Sequence, residues 1–598
     1  MMLADRLAKL APDLSQTIVR FPVCCLVALV SFFIVNLDIA KLTRLIAGSE
    51  ERVYLSLAAA FLASGAGHLF AEGRRWPPIR GGLLAGALGA AFGSIYLFQE
   101  ATSADPLFLF SSAALLVMTA GYLDRKASEN ALWLFNARFG LAVILALLVA
   151  LVFCGGLTAI LASLEYLFGI SIRGRYYEHI WATGATIIAP IYGLSLMPRD
   201  LGEELIFPDP PTLIDRGISV LMNYVLAPMI LVYLVILYLY AGKIGLQWSL
   251  PKGQIGIMVL VFGLGGTATY LIARPWTDRG TWVLRWFLAS WFWLTIVPIG
   301  LLAIAVFRRI SDYGVTPERY GLVIVGLWLA AMVVYFAMRH RQVASRTIMG
   351  CLGVLLFAGA FGPWGAKGLS VTSQLARFEA LLEQHGYLTD GRLAETLPGP
   401  EKVPADASTD GASIINFLRK TDALDRLKPI FAGRSDDPFA KQSNSWTIAS
   451  TINRQLGFRS YSKTRAGGRN IRFDARRPLQ ATLQGELLFY GPVDVIGGRS
   501  RQKARSASVS DILAFIDNGQ LVIEKNDVSW RYDSVEILRQ VERHLRNPES
   551  IAQAFRFEIE ADAGTAVLFV TQARGELGGT REKLRSISFW LVLPSTRP

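Results

Sequence analysis

The feature that most constrains this chain is a series of nearly uninterrupted apolar runs, each about twenty residues long, filling roughly its first 365 residues. A helix of about twenty residues is about 30 Å long, the thickness of the hydrocarbon core of a bilayer. Soluble cores use shorter runs, or apolar residues every three to four positions. In lipid each backbone N–H and C=O must be satisfied within the segment, so these runs are read as spanning helices. Clear runs lie at Phe21–Ile39, Val53–Ala71, Gly81–Phe98, Pro106–Leu123 and Phe139–Leu164. Six more follow near His179–Met197, Gly217–Ala241, Ile255–Ala273, Val283–Phe307, Tyr320–Met338 and Thr347–Pro363. The total is about eleven spans. With 52% of its 598 residues hydrophobic and 18% charged, the chain is too apolar for an ordinary soluble protein.

Two runs bear on the count. The stretch from Phe139 to Ile170 suits one tilted helix or a helix plus a re-entrant piece, and Gly81–Phe98 is short and rich in glycine. Gly82 with Gly86, and Gly89 with Gly93, have the small-xxx-small spacing that lets helices approach closely in lipid. The N-terminal segment MMLADRLAKLAPDLSQTIVR has the charge order of a signal peptide, but the apolar run after it is too long and lacks a small-residue cleavage site, so it is read as an uncleaved first helix.

The net charge of +13 would point to nucleic acid in a soluble protein. Here many Lys and Arg sit in short stretches between apolar runs, where they set topology and meet anionic headgroups, so the bilayer is the expected partner and nucleic acid is not. The bias of Lys and Arg favours a cytoplasmic N-terminus, and an odd number of spans then puts the C-terminal module on the opposite, periplasmic side. Cys24, Cys25, Cys154 and Cys351 all fall in apolar runs, so no disulfide framework or zinc pattern is expected.

After Gly365 the apolar runs shorten and charges of both signs appear throughout, the mark of a soluble region. Gln374–Gly386 and Ile414–Phe431 read as amphipathic helices separated by a Pro/Ala/Asp-rich linker, Pro398–Ser413. From Asn470 on, short runs rich in Val, Ile, Phe and Tyr read as strands. Asp517-Asn518-Gly519 and Asp562-Ala563-Gly564 read as hairpin turns, and Ser534–Arg546 as an intervening helix. The fold class expected is therefore mainly α: a polytopic transmembrane helical bundle over 1–365, a helical connector over 366–431, and a soluble, strand-rich α+β module over 432–598.

From Asp215 to Arg392 several patterns occur in order. These are YVLAPMILVYLVILYLYAGKI at Tyr224–Ile244, WSLPKG at Trp248–Gly253, RRISDYGVTPERY at Arg308–Tyr320, FGPWG at Phe361–Gly365, and then LLEQHGYLTDGRL. Together they resemble the domain of unknown function 4153 family of bacterial multi-spanning membrane proteins. The resemblance implies an architecture and a bacterial inner-membrane location, and it carries no catalytic or binding residues.

No common catalytic or cofactor motif is present. There is no GxxxxGK[ST], GxSxG, HExxH or CxxC, and the five histidines are scattered, so no cofactor or metal is expected. GLGGTATY at Gly263–Tyr270 lies inside an apolar run and reads as packing. Ionisable groups in lipid are costly, which makes each a functional candidate; His68 and Glu165 look deepest, ahead of Asp38, Glu178, His179, Lys243 and Arg285 near run ends. A neutral, hydrogen-bonded imidazole explains His68 as well as a proton relay does, and Glu165 is ordinary if its span ends earlier.

In RRISDYGVTPERY, Thr316 and Pro317 suit a helix start, which is a sufficient structural account. Alternatively Arg308, Arg309, Asp312 and Arg319 form an interfacial site for a phosphate or lipid headgroup. Pro190, Pro228 and Pro298 interrupt apolar runs, as broken transporter helices do, although prolines are also ordinary in membrane helices. Trp276, Trp282 and Trp286 suit an interfacial belt. Two basic clusters follow, Arg469, Arg472, Arg476 and Arg477, then Arg499, Arg501, Lys503 and Arg505, either a solvated face or a contact for an anionic lipid or envelope partner. Function is thus open between transport or a related envelope process and a membrane-anchored sensor or scaffold presenting its C-terminal module to a protein or lipid. A lipid-acting enzyme lacks a recognisable catalytic set.

Overall fold

The computed structural model describes residues 14–41, 50–98, 105–123, 128–169, 172–206, 213–247, 255–339, 343–389, 391–394, 404–432, 434, 436–440, 444–458, 469–474, 487–496, 513–517, 519–525, 528–545, 556–561, 564–577 and 583–594. They divide into two compact units, Met1–Phe458 and Arg459–Pro598.

Among the described residues, the regular structure of the first unit is helical apart from one short strand pair. Its helices are α1 (Leu14–Arg20), α2 (Pro22–Ile39), α3 (Glu50–Gly73), α4 (Pro78–Phe98), α5 (Pro106–Ala120), α6 (Glu129–Phe168), α7 (Gly174–Thr183), α8 (Ala189–Ser195), α9 (Leu213–Val220), α10 (Ala227–Gln247), α11 (Ile255–Ala273), α12 (Trp282–Leu294), α13 (Ile296–Tyr313), α14 (Pro317–Met338) and α15 (Ser345–Ala360). Prolines open several of them, since the missing N–H falls where no intrahelical bond is due. Asp105 caps α5 by accepting from the Phe108 N–H at 3.3 Å, and Thr281 caps α12 from the Leu284 N–H at 3.4 Å. Thr316 occupies the corresponding position before α14 without a side-chain cap bond.

Eight helical segments of the described residues are long and apolar enough to cross a bilayer, and α5 and α15 are shorter apolar helices. The remaining expected span, His179–Met197, the sixth in order, is helical but broken: α7 and α8 are joined by a π-helical turn, Gly184–Ile188. The stretch that suited either one tilted helix or a helix plus a re-entrant piece is a single 40-residue helix, α6, closed by Gly169 at φ +66°. The glycines of α4 do pack: a Cβ at Gly89 would meet Ser64 Oγ at 2.2 Å, and Ser56 donates to the Gly93 carbonyl at 2.8 Å. Gly82 and Gly86 have open space around them instead.

α16 (Ala366–Gln384) leaves the bundle and, with α17 (Ala405–Lys420), α18 (Lys428–Phe431) and α19 (Ser445–Gln455), closes a separate core around Phe378, Ile415, Leu418, Phe431 and Ile452. Between α16 and α17 lies a hairpin of two short strands, β1 (Leu388–Thr389) and β2 (Arg392–Leu393). The expected linker, Pro398–Ser413, is helical from Ala405 onward, in a helix that sets Ala412, Ile415 and Leu418 against this core. The helical part thus continues past residue 431 to the end of α19.

In the second unit β3 (Arg469–Asp474), β4 (Leu487–Ile496), β8 (Arg556–Ala561), β9 (Gly564–Leu577) and β10 (Lys583–Pro594) form one antiparallel sheet, ordered β3-β9-β10-β4 with β8 also on β9. A meander of β5 (Leu513–Asp517), β6 (Gln520–Lys525) and β7 (Val528–Asp533) follows the first expected turn, with Asp517 opposite Gln520. The second expected turn joins β8 to β9, with Ala561 opposite Gly564. The helix α20 (Ser534–Leu545) places Ile537, Leu538 and Val541 in the core with Leu568, Val570 and Phe589.

Candidate functional site

Three places in the first unit gather half-buried charged groups with their partners. The first is at the start of α2. Arg20 forms a two-bond fork on Glu72, with Nε to Oε1 and Nη2 to Oε2 both at 2.8 Å. It also donates to the carbonyls of Met197 at 3.0 Å and Pro198 at 2.7 Å, so one guanidinium ties the end of α1, α3 and the residues just after α8. His68 lies one turn before Glu72, 5% exposed, edge-on to Phe21 at 5.7 Å. Its Nε2 is buried and meets no partner among the described residues, so the sequence expectation of a neighbouring-helix hydrogen bond is not met at that atom.

Next to this cluster is a cavity of about 170 Å³. It is walled by Phe61 and Gly65 of α3, Ala142 and Ala146 of α6, and Pro190 and Gly193 of α8, and all its lining residues are apolar. Phe61, Gly65, His68 and Glu72 recur every three to four residues and so share one stripe of α3. The wall contributed by α8 follows the broken helix. The Ala189 N–H reaches five residues back to the Gly184 carbonyl, and Pro190 follows with no N–H to give.

The same device recurs in the next long helix. Leu221–Leu226 is a π-helical turn, the Ala227 N–H reaches the Met222 carbonyl, and Pro228 follows. Inside that turn the buried Asn223 accepts from the Thr281 N–H at 2.7 Å and donates to the Ser219 carbonyl at 2.8 Å, which pins α12 to the break. Pro298 differs: it lies just past the join of α12 and α13 at Thr295.

The second place is the turn between α13 and α14. Arg319 curls back onto the carbonyls of Tyr313 (3.1 Å) and Gly314 (2.5 Å). From α16, Arg377 donates to the same Tyr313 carbonyl at 2.8 Å, Gln374 to the carbonyls of Tyr313 and Val315 at 3.0 Å each, and Ser373 Oγ accepts from the Val315 N–H at 2.9 Å. Arg377 also reaches Asp410 of α17 at 3.4 Å. Of the four residues picked out from the sequence, Arg319 is thus tied into the turn, while Arg308, Arg309 and Asp312 are exposed on the last turns of α13. Gln374 and Arg377 were not singled out, because nothing in an amphipathic helix pattern marks a residue that binds backbone carbonyls elsewhere.

The third place joins Glu129, Arg274 and Ser345. Arg274 Nη1 donates to Glu129 at 3.1 Å, to the Val343 carbonyl at 2.6 Å and to Ser345 Oγ at 2.8 Å, and Glu129 also accepts from the Ser345 N–H at 2.9 Å. This pairing, like Arg20 with Glu72, links residues far apart in sequence.

The remaining candidates lie at the periphery. Glu165 is exposed near the end of α6 and accepts from Tyr177 at 3.2 Å. Asp38 accepts from Tyr54 at 2.5 Å and His179 Nδ1 sits 2.7 Å from Asn36 Oδ1. Glu178, Lys243 and Arg285 are exposed. Trp282 and Trp286 are exposed as a belt requires, but Trp276 is buried edge-on against Trp133 at 5.3 Å. GLGGTATY does serve packing: Gly263 faces Leu329 and Gly266 faces the Trp291 ring. Of the basic clusters, Arg469 and Arg472 fall in β3; Arg476, Arg477, Arg499, Arg501, Lys503 and Arg505 lie outside the described residues.

The profile of the family described as "Domain of unknown function (DUF4153)" matches residues 23–405, well over half of the chain. The chain belongs to this family. The DUF4153 region takes in every helix from α2 to α16, so it reaches further toward the N-terminus than the motifs after Asp215 indicated, and it stops at the start of α17. An uncharacterized protein of Pasteurella multocida (strain Pm70) is 27% identical over 276 residues, covering 44% of this chain and 44% of that relative. The match therefore spans less than half of the relative's length. No solved structure matches the chain. The family's description names no chemistry, so the geometry of the DUF4153 bundle is what bears on function.

Proposed function

We propose that the bundle carries out transport or a related envelope process in a bacterial inner membrane. The observation that carries this reading is the repeated break. Two successive long helices each widen into a π turn that ends on an Ala-Pro pair, and the first of the two breaks lines the cavity. Such interruptions leave backbone groups without their usual partners, and discontinuous helices in corresponding positions are where transporters bind and hinge. In a strain lacking the chain, once an envelope phenotype of the deletion has been scored, Pro190→Ala and Pro228→Ala, which restore an unbroken ladder, should fail to complement it although the protein accumulates normally. Full complementation by both would sink the reading.

The cytoplasmic N-terminus rests on the Lys and Arg bias; the contacts between helix ends support placing the start of α2 and the start of α16 on opposite faces of the bundle. Arg20 with Glu72, Glu129 with Arg274 and Ser345, and Arg346 with the Tyr122 carbonyl mark ends on one face. The Asp105 N–H on the Ala360 carbonyl, Tyr320 on the Trp364 carbonyl and Arg377 on Tyr313 mark the other. Between Arg20 and Ala360 the chain then crosses an odd number of times.

One observation favours a second reading, a scaffold. The turn after α13 is held by three side chains of α16, so the bundle grips the helical segment that leads to the C-terminal module. A cut after Phe458 leaves that grip intact, unlike deletion from Gln374 onward. If the shortened chain still complements, the scaffold reading falls.

A further inference from the structure

The cavity beside His68 says more about what such a process handles, and the inference rests on the transport-type reading above. An apolar cavity of about 150 Å³ in a protein core stays dry and accepts a benzene-sized group, because water needs two to four polar partners. At about 170 Å³ this cavity holds an apolar group of that size or slightly larger, and none of its lining residues is polar. Val143 and Leu147 belong to its wall and are 40% and 61% exposed. Both sit in the middle of the longest apolar helix, α6, so their exposed surface faces hydrocarbon. Whatever enters there comes from the bilayer.

Polar groups lie along the same stripe of α3. Glu72 is seven residues beyond Gly65, about 10 Å along the helix axis at 1.5 Å per residue. Met197 joins the two regions: it lines the cavity and gives its carbonyl to Arg20. Arg20 is forked on Glu72, so that pair carries no net charge. An anionic headgroup therefore finds no unmatched cation at Arg20, and apolar contact does the selecting.

We infer that the cavity is a lateral entry site for an acyl chain of a bilayer lipid, chosen by its chain and not by headgroup charge. The walls of α6 and α8 approach closely there: a Cβ on Gly193 would stand 3.3 Å from Ala146 Cβ.

The test uses the full chain in nanodiscs containing a phospholipid with a diazirine on its acyl chain, in zwitterionic and anionic headgroup versions. After illumination, adducts are mapped by mass spectrometry. Adducts should concentrate on the peptides holding Phe61, Ala142–Leu147 and Gly193, equally for both headgroups, and an unlabelled lipid should compete them away. Ala146→Leu should lower them about tenfold relative to adducts at the lipid-facing Leu239, the effect of excluding roughly two methylenes from burial. Ala142→Leu serves if that variant does not fold. Labelling spread evenly over the lipid-facing surface, or unchanged in the filled variants, overturns the inference, as does dependence on headgroup charge. Should the adducts fail while Pro190→Ala still abolishes complementation, the transport-type reading stands with a different substrate; should Pro190→Ala and Pro228→Ala complement, that reading falls whatever the adducts show.

Discussion

Arg377, on the first helix beyond the bundle, donates a 2.8 Å hydrogen bond to the carbonyl of Tyr313, the last residue of α13. A helix C-terminus carries unpaired carbonyls and the negative end of the dipole, so a cation there is favoured twice. Arg319 uses the same carbonyl, and the turn is held from both sides.

Gly314 makes that clasp possible. It stands at φ +70°, and a Cβ would lie 2.6 Å from Arg377 Cδ and 2.9 Å from Gln374 Nε2. Gly314→Ala should destabilise by about 1–3 kcal/mol, through backbone strain plus the displaced clasp. Thermal unfolding in detergent checks this, and Arg377→Ala should lower the same transition.

Breaking the fork at the start of α2 should cost more than an exposed pair does, since the side chains of Arg20 and Glu72 are only 18% and 30% exposed. Glu72→Gln keeps the shape and leaves the guanidinium with its two carbonyls, so a loss of about 1–3 kcal/mol is expected. The same melting assay reads it. A change smaller than the scatter between replicates would mean that the carbonyls alone hold Arg20.

Gly266 should tolerate nothing larger, because a Cβ would stand 1.9 Å from Trp291 Cη2. Overpacking of this kind costs about 1–3 kcal/mol, and here it pushes an indole whose Nε1 bonds Thr267 Oγ1 at 3.2 Å. Gly266→Ala is expected to lower the melting temperature. Gly265→Ala, with open space around it, is expected to leave it unchanged.

Lys367, at the start of α16, is held below the usual lysine range by burial, with Asp105, Glu51 and Asp422 pulling the other way. The unfolded chain then keeps this proton to higher pH than the folded one, so stability from this group rises with pH between the two values. Pulsed acylation followed by mass spectrometry should give Lys367 a rate midpoint below 10.5, its ordinary value. Lys367→Met should gain most relative to the parent at neutral pH, and less as the pH rises.

Fluorescent-protein and phosphatase fusions after Pro598 and within residues 339–346 test the sidedness. Phosphatase activity at the C-terminal end with fluorescence at the loop is the expected pattern, and fluorescence at the C-terminal end would refute it.

Much of the bundle was legible because each span must satisfy its backbone internally, which makes apolar length a sufficient signal. His68 stood out for the same reason: an imidazole in an apolar run is rare. Arg20 and Glu72 did not, since each lies at a run end where charge is ordinary, and 52 positions separate them. The prolines at 190 and 228 were visible, but the π turns before them were not, as no residue type encodes a bond that reaches one position further back.

The sequence by itself determined the solvent, the approximate number of helices and the change to a soluble region after Gly365, because hydropathy and run length are local properties summed along the chain. It also marked both hairpins of the C-terminal module, since Asn518-Gly519 in one, and Asp562 with Gly564 in the other, are turn residues between apolar runs. Tertiary structure alone decided which ends meet and where the hollow lies. A salt bridge such as Arg274 with Glu129 depends on which helices become neighbours, and a cavity is the volume that several packed helices jointly fail to fill.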